Sequence, residues 1–216
     1  MTNQNLPEAA QQMPNLGDLT YTFMLNASMV TKPDDTFTKQ VHQLNEEFAE
    51  LRTALAQKDF DEVWDGIGDV IFVITSLEIL HNMSTQPTVE ETLIYRQAYA
   101  DLTVLMAQHE LPTYLCEIAG LIAAESNLTK FDDTEEDAKV TQAHYLENFG
   151  VKTVIHFVEE TGSYVVKADG AQKTDKMEVH DGKCLKSVKH FRKPDFTRLA
   201  AENEPSYALK GFVHEG

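Results

Sequence analysis

Two runs of helical spacing, separated by a gap short enough to force a tight turn, constrain this chain more than any other feature. From Phe37 to Gln57, Val41, Leu44, Phe48, Leu51 and Leu55 recur at intervals of three and four, the period of one helical face. From about Glu62 to Asn82, Val63, Ile67, Val70 and Ile74 do the same, and near Phe72 and Val73 apolar residues occur all round, the mark of a buried end. The connection from Ala56 to Asp61 implies an antiparallel pair. Asp59 or Asp61 is placed to cap the second helix.

Around this pair the pattern predicts more helix. Leu19 to Val30 reads as a short helix after a loose polar leader, residues 1–17. Val89 to His109 carries Leu93, Leu102, Leu105 and Met106, and Thr113 to Leu128 carries Leu115, Ile118, Leu121 and Ile122. Past Gly150 the character changes. Val151 to Val158 and Ser163 to Lys167 read as a β-hairpin, Met177 to His180 with Lys183 to Val188 as a second, and the segment after Pro194 as a short helix. The expected fold is an all-α helical bundle with a small C-terminal extension containing β-hairpins. The helical domain is set at residues 18–131, and the extension, packed on it, at 150–216.

The apolar fraction of 42% is enough for a core. No secretory signal pattern is read, no apolar run approaches the length needed to cross a bilayer, and the two cysteines form no metal or disulfide framework. A cytoplasmic location (host cytoplasm if the chain is phage-encoded) and no membrane partner are expected. Charge is uneven: residues 1–150 carry 7 Lys/Arg against 25 Asp/Glu, while residues 151–216 carry 11 against 10. An acidic body repels nucleic-acid backbones and attracts dications, so nucleic acid is not an expected partner.

The carboxylates are patterned. Glu46, Glu47 and Glu50 are followed by Glu62, Asp65 and Asp69. At about 100° per residue, Glu62, Asp65 and Asp69 share an arc of about 60°, and Glu47 and Glu50 lie about 60° apart on the earlier helix. Facing one another across an antiparallel groove, such groups repel and call for a counter-charge. All-oxygen ligands favour a hard cation such as Mg²⁺ or Mn²⁺. Helical acidic pairs are individually common, and chance is the competing reading. Against it, Gly66 and Gly68 interrupt the same helix at about 1 kcal/mol each relative to Ala. Glycine there permits close approach of another helix or a ligand. No P-loop or nucleophile motif is found. Trp64 and Phe60 read as core before base-stacking platforms.

Glu47-x-x-Glu50, Glu62-x-x-Asp65 and the following Asp69-Val70-Ile71-Phe72-Val73 resemble the all-α nucleoside-triphosphate pyrophosphatases. That group includes MazG, the phosphoribosyl-ATP pyrophosphohydrolases and the dimeric dUTPases. Glu125 to Phe131 is similar to a Ser-Asn-x-Ser-Lys segment of MazG-like enzymes, and Gly182 to Lys186 with Lys193-Pro194-Asp195 resembles their ending. The resemblance implies Mg²⁺-dependent hydrolysis of nucleoside triphosphates, dNTPs foremost, to monophosphate and pyrophosphate, with Mn²⁺ able to substitute. It implies Glu47, Glu50, Glu62 and Asp65 as metal ligands. Asn127, Lys130 and Asp69 would contact substrate, and Glu46, with Glu47 and Glu50, would position or deprotonate the water. It also implies a homodimer or homotetramer. Two features depart from the family: the interval between Glu50 and Glu62 is short, and residues 84–112 read as an insertion. The basic tail, Lys183, Lys186, Lys189, Arg192, Lys193 and Arg198, lies over the nucleotide or merely balances the acidic body. The competing class is a non-enzymatic acidic protein that mimics nucleic acid or inhibits a basic partner.

Overall fold

The computed structural model describes residues 15–197 and 199, without the side chain of Phe60. The leader up to residue 14, Arg198 and the end of the extension lie outside the described residues. Six α-helices are followed by four short strands among the described residues.

Four of these six helices start on a capping side chain, and two start without one. Helix α1 (Leu16–Asn26) begins on Asn15, whose Oδ1 accepts from the Asp18 N–H at 2.8 Å. Helix α2 (Pro33–Gln57) has Pro33 in its first turn with Asp34 and Asp35 beside it, where a missing N–H costs nothing and negative charge meets the helix dipole. It ends on Lys58 in the left-handed region, φ 56°. Two residues later α3 (Phe60–Met83) starts on Asp59, whose Oδ1 accepts from the Glu62 N–H at 3.3 Å. Thr88 and Glu91 form a reciprocal capping box for α4 (Val89–Gln108). A 3₁₀ turn, Thr113–Leu115, leads into α5 (Cys116–Leu128).

Helix α3 is the axis of the bundle. It packs against α2, α5, α1 and α4, which is why Val63, Ile67, Val70 and Leu77 have no exposure. Gly66 and Gly68 make two of these contacts possible. A Cβ on Gly66 would lie 3.1 Å from Leu51 Cβ of α2, and one on Gly68 would lie 2.8 Å from the Ala119 carbonyl of α5. The glycines are therefore spent on neighbouring helices. On α4 the core face is Tyr95, Ala98, Leu102 and Met106, whereas Leu93 is 60% exposed. None of the helices, among the described residues, is long and apolar enough to cross a membrane.

The extension starts earlier than the pattern past Gly150 suggests. Helix α6 (Glu135–Phe149), absent from the sequence reading, is capped by Thr134 and closed by Gly150 at φ 69°. It covers the antiparallel hairpin of β1 (Thr153–Val158) and β2 (Ser163–Ala168), in register from Thr153 opposite Ala168 to Val158 opposite Ser163. The second hairpin differs from expectation. β3 (Gln172–Lys173) pairs with β4 (Glu178–Val179), and Lys183 to Ser187 runs instead beside β2 and the end of α5. Leu185 N–H donates to Val166 O at 2.8 Å and Ser187 N–H to Lys130 O at 3.0 Å. Ala138, Tyr145, Val151 and Val166 form a second core beneath α6. The two units interlock: Lys167 Nζ donates to the Ala27 carbonyl ending α1, at 2.8 Å, and Phe196 and Leu199 return to the helical core.

Candidate functional site

The α2–α3 hairpin brings Glu47 and Glu50 into electrostatic range of Asp65 and Asp69, with Glu62 coupled to Asp65 one turn away. Glu47 is the deepest of the α2 pair at 9% exposure. It accepts a hydrogen bond from Gln43 Nε2, one turn back on the same helix. Glu50 and Glu62 are exposed and form the rim, Asp65 and Asp69 are half-buried, and Glu46 is exposed on the neighbouring flank of α2.

Three carboxyls carry the cost of this crowding. Burial pushes the Glu47 carboxyl up, and Glu50 and Asp65 add to the rise while Gln43 and Lys130 oppose it. Burial also raises Asp65, with Glu62 adding and Lys186 and Lys130 opposing. Asp69 is pushed up to about 7, by burial first and by Glu47 and Asp65 second. These shifts mark carboxyls held partly out of water beside like charges, a place that penalises their ionised forms.

Lys130 is the counter-charge. It sits in the turn after α5, its N–H bonded to the Asn127 carbonyl at 3.1 Å, with Nζ 5.8 Å from the centroid of the Phe23 ring. Burial pulls its ammonium down, Asp69 and Glu47 pull it back up, and Lys186 pushes it down again. Asn127, on the last turn of α5, is 8% exposed. Thus Glu47, Glu50, Glu62, Asp65, Asp69 and Lys130 belong to one electrostatic cluster, Asn127 lies next to it in the chain, and Glu46 stands aside. Trp64 is 3% exposed and belongs to the core.

The donor set is anionic, all-oxygen and partly desolvated, which suits a hard dication. As placed, no three acidic, histidine or cysteine side chains among the described residues converge closely enough to hold an ion. Closing a ligand shell would take side-chain rotation from these helix positions.

Sequence reasoning missed two contributors, Gln43 and Phe23, and left a third, Lys186, undecided among the six basic residues of the tail. Gln43 stands one turn before Glu47, a spacing too common to signal anything alone. Phe23 reaches Lys130 from α1, and Lys186 reaches the cluster from the extension, by tertiary closure. Beside the site, Asp132 is 1% exposed and accepts from Ser187 Oγ at 2.5 Å and Thr141 Oγ1 at 3.3 Å, fastening the 183–187 segment in place. A cavity lies between α5 and residues 192–195, lined by Ser126, Thr129 and Arg192. Compared with models of protein families, with curated proteins and with solved structures, the chain matches none.

Proposed function

We propose that the protein is a Mg²⁺-dependent nucleoside-triphosphate pyrophosphohydrolase, acting on dNTPs foremost and accepting Mn²⁺. The observation that supports it is the cluster of five carboxylates, Glu47, Glu50, Glu62, Asp65 and Asp69, on consecutive helices against the half-buried Lys130. Holding such charges close is unfavourable for the bare protein and becomes favourable when cations and a polyphosphate fill the groove. Dications held by Glu47, Glu50, Glu62 and Asp65 would neutralise phosphate charge and make water a better nucleophile. The water oxygen bonds to the α-phosphorus, and the bond from that phosphorus to the bridging oxygen breaks. Pyrophosphate leaves with the electron pair, and the water's proton passes to a carboxylate of α2 within the cluster, Glu47 or Glu50, rather than to the outlying Glu46. Lys130 and Asn127 would steady the phosphates. Cytoplasmic activity as a homodimer or homotetramer belongs to the same reading. The exposed Val89, Leu93 and Val104 of α4 offer apolar surface for subunit contact, and a solution mass tests it.

The test is pyrophosphate release across NTPs and dNTPs, with Mg²⁺ and with chelator. Glu47→Gln, Glu50→Gln, Glu62→Gln and Asp65→Asn should each lower kcat by about 100-fold or more while the protein stays folded. Wild-type turnover in any two of these variants removes the groove as the active site. The second reading, an acidic protein blocking a basic partner, draws on the 7-against-25 charge balance of residues 1–150. It expects no thermal stabilisation by Mg²⁺, whereas a cation-binding groove expects a rise in Tm.

A further inference from the structure

Among the tail's basic residues, geometry singles out Lys186. Leu185 and Ser187 are each 3% exposed, and Lys186 between them faces out, the alternation of an extended segment. Its backbone is clamped on both sides. Tyr145 Oη accepts from the Lys186 N–H at 3.2 Å and donates to the Lys186 carbonyl at 3.3 Å. The next N–H, of Ser187, bonds the Lys130 carbonyl at 3.0 Å, so the two lysines stand on adjoining strands of chain. Lys186 Nζ lies 4.4 Å over the Phe191 ring, a contact that restrains a long side chain without neutralising it. Neighbouring cations are already committed: Lys189 Nζ to Asp137 at 2.9 Å and Lys167 Nζ to Ala27 O and Ser28 Oγ.

We propose that Lys186 is the second phosphate-binding cation of the acidic groove, delivered to it by the C-terminal extension. The inference rests on the triphosphate reading above. Lys130 answers Asp69 and Glu47 and also acts on Asp65, where Lys186 is the stronger of the two. The two ammonium groups also repel one another, and neither can ligate a metal ion. Once dications load the groove, both lysines face positive charge from it and from each other. A polyphosphate lying between them relieves that repulsion, and ammonium-to-phosphate hydrogen bonds are among the stronger ones. The extension then forms part of the substrate pocket, and Lys186 touches the phosphates directly.

Full-length protein carrying Lys186→Ala, Lys186→Arg or Lys183→Ala would be compared with wild type. Steady-state kinetics would use dNTPs in Mg²⁺, and calorimetry would use Mn²⁺ alone and inorganic pyrophosphate in Mg²⁺. We expect Lys186→Ala to raise KM and weaken pyrophosphate binding by about 10-fold or more, with Mn²⁺ affinity undiminished and the protein still folded. Lys186→Arg should recover part of the loss, and Lys183→Ala should match wild type. Hydrolysis and pyrophosphate binding undiminished in Lys186→Ala would overturn the role of Lys186 and leave the enzymatic reading standing. A wild-type protein that neither hydrolyses any dNTP or NTP nor binds pyrophosphate would overturn both.

Discussion

Asp69 is the carboxylate least able to hold its charge, because burial acts on it first and two ionised neighbours act second. Its carboxyl is pushed up to about 7 in the folded chain from the ordinary aspartate value of 3.8. Between those two values the folded chain retains a proton that the unfolded chain has released. The linkage slope is therefore negative: metal-free stability from this group is greatest below about pH 4 and declines until about pH 7. Asp69→Asn should stabilise the metal-free protein by about 4 kcal/mol at pH 8 and by nothing at pH 4. Urea unfolding in chelator at both pH values measures this, and an equal gain at both would refute the electrostatic cause. Lys130→Ala should do the reverse at pH 8, leaving Glu47 and Asp69 without their nearest cation. It should also raise KM and lower kcat, since phosphate contacts tighten in the transition state. The five carboxylates were readable because helical spacing is a local property: two stripes and a short turn suffice to set them face to face. Gln43 and Phe23 were not readable as site residues, and Lys186 was readable only as one of six basic residues of the tail, because nothing local distinguishes them until the chain has closed.

Helix α3 meets its neighbours through glycine, and the two contacts differ in tolerance. Alanine at 68 would set a Cβ 2.8 Å from the Ala119 carbonyl and 3.0 Å from Ala123 Cβ, so backbone has to move. Alanine at 66 meets Leu51 at 3.1 Å or more, a crowding that a few tenths of an ångström relieves. Alanine gains about 1 kcal/mol of helix propensity at either site, against about 1–3 kcal/mol for overpacking. Gly68→Ala should thus be clearly destabilising and Gly66→Ala close to neutral, by denaturant midpoint at constant slope. Because α5 carries the turn with Lys130, Gly68→Ala should also depress activity beyond its effect on stability. If both variants are stabilised, close helix contact is not what the glycines provide. The same reasoning explains which elements were legible. Helices α2 and α3 advertise themselves by long apolar stripes. Helix α6 does not, because it rests on a small sheet through Ala138, Thr141 and Tyr145, too few apolar positions to show a period. Its caps, Thr134 with Asp137 and Gly150, were the overlooked signal. Asp181-Gly182 does turn the chain, with Gly182 at φ 71°. The turn lays the next segment along β2, and pairing it with residues 177–180 was the error.

The extension is bound into the helical unit by three kinds of contact. Ser126 Oγ donates to Arg192 O at 2.7 Å, and the Arg192 N–H donates to Thr129 Oγ1 at 2.9 Å. Phe131, Val158 and Val165 share a small apolar cluster with Phe23 and Leu128 partly buried against it. Phe196, 7% exposed, sits in the same core as α1 to α5. Sequence alone supplied the change of character at Gly150 but not this return, since Phe196 follows a polar, basic stretch with no stripe to mark its destination. If the tail completes the core, unfolding should be one cooperative transition, with far-UV circular dichroism and tryptophan fluorescence coincident. Trp64 is the single tryptophan of the chain and lies within the helical core, so its emission reports that unit alone. Removing the Phe196 ring leaves a cavity in a packed interior, at about 3 kcal/mol. Phe196→Ala should therefore shift the Trp64 midpoint and the circular dichroism midpoint together to lower denaturant. A Trp64 transition left in place while the rest of the signal moves would mean that the helical unit holds its core without the tail. Lys186 would then sit on a separately melting segment, and the groove would lose its second cation before the bundle unfolds.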